Sequence, residues 1–424
     1  MQPARRVLAS TGAASAVRSP GASTCRACLT RLPAPQRRAF SRSAPRHAAP
    51  PAPSPAGLAE LSSRKLISVS GPDAAKYLQG VITANLFPGY AGPSPTSEHL
   101  RADAGFYAAF LTAQGRILHD VFVYRDARDT AHPPGHSWLV EVDAAEADRL
   151  QKHIRRYKLR AKFDVRLLDE GEGAVWQAWD DASPSLPPSL PSSISNTTVI
   201  TTPDTRAPNL GHRLVTFSPT PSPPVSSPTL PLVPESSYHL RRYTHGIPEG
   251  QSELLFNQAL PHESNADAMR AIDFRKGCYV GQELTIRTEH RGVVRKRILP
   301  CVLYPDGQPL PEDLVEAYRP EIEPGVTAEE IPREASIGRA PGGKKGRSAG
   351  KWLTGVGNVG LALCRLEIMT DVVLPGEASS GAGGFGEGDE FVVGLGEGEE
   401  GKKVRIKAFV PEWLRRGLVR GEGH

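Results

Sequence analysis

The feature that most limits how this chain can fold is a long central stretch, residues 182–234, dominated by proline, serine and threonine. Runs such as "SPSLPPSLPSSISNTT" and "SPTPSPPVSSPTLPLVP" cannot bury enough apolar surface to offset the entropy lost on ordering. We therefore predict an insert that is mostly without fixed structure, with "HRLVTF" as a candidate short strand inside it. The sequence on either side must then supply the folded core. A chain of 424 residues is long enough for two or three folded units.

The first part of the chain, residues 1–55, differs sharply from the rest in charge. No Asp or Glu precedes Glu60, whereas nine arginines do. An arginine-rich, acid-free beginning is typical of a mitochondrial transit peptide, and "RRAFSRSA" provides a candidate cleavage site between Phe40 and Ser41. The alternative is an ordinary disordered tail. We favour the transit peptide and expect the mature protein in the mitochondrial matrix.

The net charge and the apolar runs of the remaining chain argue against nucleic acid as a partner and against a membrane span. Without the leader, the chain carries 42 basic and 46 acidic residues, a net charge of −4. A mildly acidic chain lacks the electrostatic attraction on which general nucleic-acid binding depends, so we expect no nucleic-acid partner. No apolar run approaches the roughly 18–20 residues that a membrane span needs, so we expect no span.

Apolar periodicity predicts an α+β fold for residues 58–181. Alternation in "LISVSG" is typical of a strand, "PDAAKYLQGVITANL" of a helix, and "GFYAAFLTAQGRILHDVFVYR" of two strands around a Gln-Gly turn. Another strand, "SWLVEVD", precedes an amphipathic helix in which Leu150, Ile154 and Tyr157 share one face. Strand patterns return in "KFDVRLLD" and "AVWQAW". This alternation is typical of ferredoxin-like α+β units.

After the insert, we predict a second α+β part over 235–297 and a β-rich domain with loop inserts over 298–424. "SSYHLRRYTHGIPEG" is typical of a helix followed by a turn. "GLALCRLEIM" and "KKVRIKAFVPEW" have the apolar character of buried strands in the last domain.

One segment, "IDFRKGCYVGQELTIRTEHRGVVRKRI", contains a single cysteine, Cys278, with no obvious base or partner cysteine nearby. Gly277 indicates a backbone position at positive φ or in close approach, which would hold the thiol at a turn. Arg275 and Lys276 precede it, and cationic neighbours stabilise a thiolate. Gly281 and the residues after it predict a turn into a helix, whose N-terminus would favour the same charged form.

Two interpretations of Cys278 remain open on the residues alone. It is either a small buried residue at a tight turn, as free cysteines often are, or an accessible thiolate. Outside the leader the chain has only Cys278, Cys301 and Cys364, whereas an iron–sulfur cluster generally takes four ligands. The chain cannot readily hold a cluster alone, but Cys278 could lend one ligand to a shared cluster. A dense set of bases downstream could complement an acidic ligand or partner: Arg287, Arg291, Arg295, Lys296 and Arg297.

Several motifs together resemble the YgfZ-type folate-binding proteins related to the glycine-cleavage T-protein: "HGIPEG", "LPHESNADAMRAIDF", "KGCYVGQE" and "RTEHRGVVRKR". With its mitochondrial leader, the chain resembles the eukaryotic branch of that family, the Iba-type iron–sulfur cluster assembly factors. The resemblance covers most of 58–300 and, more weakly, the C-terminal strands. It implies an α+β, aminomethyltransferase-like folate-binding fold of ferredoxin-like subdomains, with a β-barrel-like C-terminal domain.

The resemblance also implies work late in the assembly of [4Fe-4S] proteins such as aconitase and lipoate synthase, with A-type scaffold proteins and client apoproteins as partners. Cys278 would be a ligand to a [2Fe-2S] or [4Fe-4S] cluster shared transiently with a partner. The family signature falls on Lys276, Gly277, Cys278, Tyr279, Gly281, Gln282 and Glu283. A pocket for tetrahydrofolate is implied near Tyr107, Gln114, Gly115, Asp120 and Arg241.

The chain departs from the T-protein pattern at two carboxylates. T-proteins carry an Asp-Asp pair after their "G-x-I-L" stretch, where this chain has His119 and Asp120. Their Arg-Leu-Glu-x-Gly motif, whose acid contacts the pterin, reads "RRYTHG" here and lacks the glutamate. An unpaired pterin donor costs roughly 1–3 kcal/mol. We therefore expect a non-enzymatic assembly factor, with a tetrahydrofolate-dependent aminomethyltransferase that uses Asp120 as its positioned carboxylate as the alternative.

Overall fold

A computed structural model describes most of the chain beyond the leader: residues 51–88, 104–183, 199–217, 230–323, 326–340, 347–374, 385–386, 388–395 and 402–419. The predicted transit peptide and its cleavage site lie outside these residues, apart from 51–55. Within these ranges, no helix combines the length and the apolar character needed to cross a membrane.

The described chain forms fifteen strands and six α-helices. The strands are β1 Ala56–Glu60, β2 Arg64–Ser70, β3 Gly105–Leu111, β4 Ile117–Arg125, β5 Ser137–Asp143, β6 Asp164–Leu167, β7 Ala174–Asp180, β8 Val199–Pro203, β9 His212–Thr216, β10 Lys296–Tyr304, β11 Ser336–Arg339, β12 Gly350–Val356, β13 Val359–Arg365, β14 Phe391–Gly394 and β15 Lys403–Ala408. The helices are α1 Ala74–Val81, α2 Ala147–Tyr157, α3 Glu235–His245, α4 Gln282–Arg291, α5 Leu366–Met369 and α6 Glu412–Val419.

The N-terminal part builds a five-stranded antiparallel sheet in the order β3-β4-β5-β2-β6. Helices α1 and α2 pack on one face of this sheet, because the apolar residues of each helix recur every three or four positions. Leu78, Leu150 and Ile154 are fully buried there. The predicted α+β order is confirmed, with three strands between the two helices. Tyr157, predicted on the buried face of α2, is instead 50% exposed.

A second antiparallel sheet has the order β1-β7-β9-β8. Its β8 and β9 lie within the predicted insert, where β9 was expected as a candidate strand and β8 was not. The candidate strand "HRLVTF" is β9, which pairs with β7 and buries Leu214 and Val215 completely. Burial against a distant strand outweighs the polar local composition here.

The two sheets face each other across a second apolar core. Tyr107 and Phe122 from the first sheet pack with Trp179 and Val215 from the second. Among these apolar groups lie many fully buried arginines and carboxylates, which are described below. This charged layer lies where the two α+β units meet.

The last domain is a closed six-stranded barrel in the order β10-β13-β12-β11-β14-β15. Strand β10 pairs with both β13 and β15, so the barrel closes on its first strand. Trp352, Ile337 and Ile406 fill the interior. The predicted β-barrel-like C-terminal domain is therefore confirmed, and α4 runs almost directly into its first strand.

Candidate functional site

The loop that carries Cys278 is fixed to the end of helix α1 by Lys276. The Lys276 ammonium donates hydrogen bonds to the carbonyls of Gln79, Ile82 and Ala84, at 2.8, 2.6 and 2.8 Å. A cation at a helix C-terminus is favourable because the last carbonyls lack partners within the helix. Burial lowers the pKa of Lys276 to about 7. Lys276 is thus an anchor for the loop, and its amine is directed at these three carbonyls.

Tyr279 and Val280 fix the other side of Cys278. The Tyr279 side chain is buried, and its hydroxyl shares a 2.8 Å hydrogen bond with Thr285 of α4. The Val280 amide donates to the carbonyl of Gly80 at 3.1 Å. The Gln282 side chain accepts a hydrogen bond from the Tyr279 amide at 3.1 Å. The backbone around Cys278 is therefore held from both sides.

The two signature glycines have different roles. Gly281 adopts φ +82° as the cap residue before α4, and a Cβ there would lie 2.3 Å from the carbonyl oxygen of Thr112. Gly277 does not have positive φ, and a Cβ on it would meet nothing within 4 Å. The prediction of a constrained backbone at Gly277 is wrong, because the close approach occurs at Gly281.

Cys278 itself is an exposed free thiol. The interpretation of a small buried cysteine is therefore wrong for this position, whereas Cys301 and Cys364 are fully buried in the barrel. In the described part of the chain, no three or more His, Cys, Asp or Glu side chains converge where they could hold a metal ion. Cys278 offers one accessible sulfur at the entrance to α4. Glu283, also exposed, lies in the first turn of that helix.

The basic residues after Glu283 divide into an exposed set and a structural set. Arg287 and Arg291 project from α4 and are exposed. Arg297 is buried and forms a two-pronged ion pair with Asp267, at 2.6 and 2.8 Å. The prediction that all five bases could meet a partner therefore fails at Arg297, because the barrel begins there and turns its side chain inward.

The residues predicted to surround a folate pocket have different neighbours in the structure. Tyr107 and Asp120 are buried together, with the Tyr107 hydroxyl 3.4 Å from the carboxylate. Gln114 is exposed on the β3–β4 turn beside Val280. Arg241 lies elsewhere, 2.6 Å from Asp181 and stacked over the ring of Trp179.

The turn between β3 and β4 nevertheless belongs to the Cys278 site. Gly115 has φ +80°, and a Cβ there would lie 2.6 Å from Leu284 and 2.9 Å from the carbonyl oxygen of Gly281. The Gln-Gly turn therefore packs directly against the start of α4. Gln114 and Gly115 lie near the cysteine loop, away from the buried Asp120.

Asp120 is part of a buried ionic layer between the two sheets. Its carboxylate accepts hydrogen bonds from Arg64 at 3.4 Å and from the Gly250 amide at 3.1 Å. Arg64 also donates to Glu141 at 2.7 Å. Burial raises the pKa of Asp120 above its usual range, although Arg64 opposes that shift. Asp120 is 1% exposed and faces neighbours from its own fold.

Glu249 is the centre of this layer. One of its oxygens accepts from Arg206 and from Arg213, each at 2.6 Å, and from the hydroxyl of Tyr238 at 2.8 Å. Burial alone would raise the pKa of Glu249, but the guanidinium groups of Arg213 and Arg206 hold it well below its usual range. Sequence reasoning missed this layer. The available signal was charge at positions where a strand is otherwise apolar, as at Arg213 in "HRLVT" and Glu141 in "SWLVEVD".

A cavity of 360 Å³ opens beside the layer, next to Arg64, Arg242, Glu249 and Glu253. Glu253 accepts from Arg242 at 2.8 and 3.0 Å, and Glu249 accepts its hydrogen bonds through one oxygen, Oε2. Two buried donors there lack a hydrogen-bond partner, Nη2 of Arg64 and Nε of Arg242, and a pterin ring itself presents N–H donors that need acceptors. These unpaired guanidinium donors favour an occupant that offers hydrogen-bond acceptors.

The structure has an aminomethyltransferase-type fold with a C-terminal barrel. The glycine cleavage system aminomethyltransferase T from Bartonella henselae has the same fold, with a TM-score of 0.55 at 13% identity over 85% of this chain and 86% of that one. The family model for the CAF17 C-terminal β-barrel domain matches residues 295–416.

Relatives of much higher identity are mitochondrial proteins named iron–sulfur cluster assembly factor IBA57 homologues. The protein from Chaetomium globosum is 72% identical over the full length of both chains. Those from Pyricularia oryzae and Neurospora crassa are 54% and 50% identical, over 86% and 98% of this chain and 86% and 93% of theirs. The chain belongs to this family of mitochondrial iron–sulfur cluster assembly factors, and the resemblance drawn from the sequence is confirmed.

Proposed function

We propose that this chain acts in the mitochondrial matrix late in the maturation of [4Fe-4S] enzymes such as aconitase and lipoate synthase. The Cys278 thiolate is one ligand of a [2Fe-2S] or [4Fe-4S] cluster that the chain holds transiently with an A-type scaffold protein before a client apoprotein receives it. The observation that carries this proposal is an exposed thiol on a loop whose neighbours, Lys276 and Tyr279, are pinned to two helices.

Ligand chemistry supports a shared cluster. A cluster generally takes four ligands, usually thiolates, and the other two described cysteines are buried in the barrel. An anchored loop presents its sulfur at a fixed position, which lowers the entropy lost when a partner's cluster is captured. The exposed Arg287 and Arg291 of α4 provide positive charge for an acidic partner.

The test is Cys278→Ser in cells depleted of the native protein. Serine preserves size at an exposed position, so the fold is retained while the soft thiolate ligand is lost. We expect aconitase activity and lipoylated protein to fall to the level of depleted cells, and a reconstituted complex with an A-type scaffold to lose its visible cluster absorbance. Gly277→Ala is the matched control, since a methyl group there has open space. Normal aconitase and lipoylation in the serine variant would refute the ligand role.

Aminomethyl transfer to tetrahydrofolate is the second candidate, favoured by the fold alone. Asp120, the carboxylate that such chemistry would use, is engaged by Arg64 and Gly250 and is 1% exposed. Calorimetric titration with tetrahydrofolate separates the two functions. Tight binding that Asp120→Asn abolishes, together with turnover, would favour transfer over assembly.

A further inference from the structure

A wide groove lies beside the Cys278 loop and has a volume of 830 Å³. One wall is helix α1, the opposite wall is the C-terminal end of α2, and the tip of the β3–β4 hairpin lies between them. Apolar and aromatic side chains form most of its surface: Tyr77, Val81, Phe110, Leu118, Tyr157 and Val280. Val280 lines the groove and lies two residues beyond the exposed Cys278, so the groove reaches the loop that carries the thiol.

Two of the groove residues are unusually accessible for their type. Tyr157 is 50% exposed and Val280 is 43% exposed. The ring of His153 lies 4.7 Å from that of Tyr157, centroid to centroid. Burial, with the nearby charge of Arg156, lowers the pKa of His153, so this part of the groove is uncharged near neutral pH. An exposed aromatic side chain over an uncharged concave surface is typical of a protein-binding site.

The segment that carries the lining residues His153, Tyr157 and Ala161, called the rim of the groove, is strongly basic. Residues 152–162 include no acid and six bases: Lys152, Arg155, Arg156, Lys158, Arg160 and Lys162. Within the described part of the chain, only Lys158 among them forms an ion pair, a long one of 3.9 Å with Asp164. Asp73, the acid among the groove residues, already accepts a hydrogen bond from the Lys162 amide at 2.7 Å. The rim therefore favours a partner with an acidic surface.

We propose that this groove is the docking site for the protein that shares its cluster with Cys278. An apolar side chain of the partner enters between α1 and α2, and acidic residues around it pair with the basic rim. The identity of the partner rests on the function proposed above, whereas the apolar surface and its charge do not. Because Val280 lines the groove, a partner seated there has its own cluster ligands next to the Cys278 sulfur.

An anionic membrane surface is the competing occupant. Leu159 protrudes beside the groove, 85% exposed and at φ +49°, among the same bases. A bilayer takes up protruding groups, whereas a concave surface takes up a side chain inserted from a partner. The concave shape of the groove and the presence of Val280, from the Cys278 loop, in its lining favour the protein partner.

The experiment measures binding of the A-type scaffold, free of cluster, to the full chain by calorimetry. We expect Tyr157→Ser to weaken binding by at least about tenfold, as for a central aromatic contact. The double change Lys152→Glu and Arg156→Glu should weaken it similarly and reduce its dependence on salt. Leu159→Asn, at an exposed apolar position that does not line the groove, is the matched control and should bind like the wild type.

Three outcomes would overturn the docking proposal. The first is no binding of the cluster-free scaffold to the wild type, and the second is wild-type affinity in Tyr157→Ser. The third is flotation of the chain with phosphatidylglycerol-containing vesicles, lost in Leu159→Asn, without scaffold binding, which would assign the surface to a membrane. Cys278→Ser should retain binding to the cluster-free scaffold. Normal enzyme maturation in Cys278→Ser would instead refute the proposed function and leave the docking result unchanged.

Discussion

The cysteine loop and the buried ionic layer use charged side chains in opposite ways. At the loop, the polar anchors are buried and the reactive sulfur is left outside, as Lys276 and Cys278 show. In the layer between the sheets, both partners of each pair are buried, as with Glu249 and its arginines. The first arrangement keeps a group available to another molecule. The second satisfies its charges internally, between the two sheets of the protein.

In the buried ionic layer, the largest loss of stability is expected from a substitution at Glu249. Glu249→Gln removes a buried negative charge and leaves Arg206 and Arg213 inside the protein without their shared counter-charge. We expect the free energy of unfolding, measured by urea titration, to fall by about 3–5 kcal/mol. Glu412→Gln is the control, since its pair with Arg416 is exposed, and should change stability by less than about 0.5 kcal/mol. Similar losses in the two variants would show that burial does not distinguish them.

The two glycines of the signature test how firmly the loop is held. Gly281→Ala forces a side chain into positive φ and against the Thr112 carbonyl, so we expect a loss of about 1–3 kcal/mol in the same assay. Faster amide hydrogen exchange in α4 should accompany the loss. Gly277→Ala should match the wild type in both measurements. Equal effects of the two changes would contradict the assignment of the close contact to Gly281.

A smaller effect is expected on the pH dependence of the free energy of unfolding, through the protonation of His119. Burial, with the nearby His153 and Arg149, lowers the pKa of His119 to about 3, so the folded protein keeps it neutral, whereas the unfolded chain takes up a proton below about pH 6.5. The unfolded state then binds more protons, and the free energy of unfolding falls as the pH falls. Between about pH 7.5 and 5.5, the wild type should lose about 1.4 kcal/mol more than His119→Gln. Parallel pH profiles would show that His119 is charged in the folded protein.

Individual strands and helices could be predicted from the sequence because their apolar patterns involve only neighbouring residues. The alternation in "LISVSG" and the spacing of Leu150 and Ile154 each depend on a few neighbours, and the structure confirms the strand and the helix. The turn into α4 at Gly281 was predicted for the same reason. The prediction that Tyr157 is buried was wrong. Its position on α2 sets the direction of the side chain, but the sequence does not show whether a neighbouring element is close enough to cover it.

The features that could not be predicted from the sequence depend on contacts between distant parts of the chain. Strand β9 could not be separated from the proline-rich sequence around it, because its stability comes from pairing with β7. The ionic layer joins residues such as Arg64, Glu141 and Glu249, whose separation in sequence gives no indication that they meet. For the candidate site, the sequence identified Cys278, but it gave no indication that Lys276 and Tyr279 anchor the loop, and it assigned Gly277 the constraint that belongs to Gly281.

The contact between Gly115 and Gly281 has a consequence for how sequences of this family can diverge. A Cβ on Gly281 would lie 3.1 Å from the Cα of Gly115, and both residues have positive φ. Most packed pairs can exchange volume, with one residue shrinking as the other grows, and such exchanges leave a record of covariation. Neither glycine has a side chain to give up. The hairpin turn and the cysteine loop are therefore expected to stay invariant together at this point, and methods that detect contacts from correlated substitutions would not detect this one.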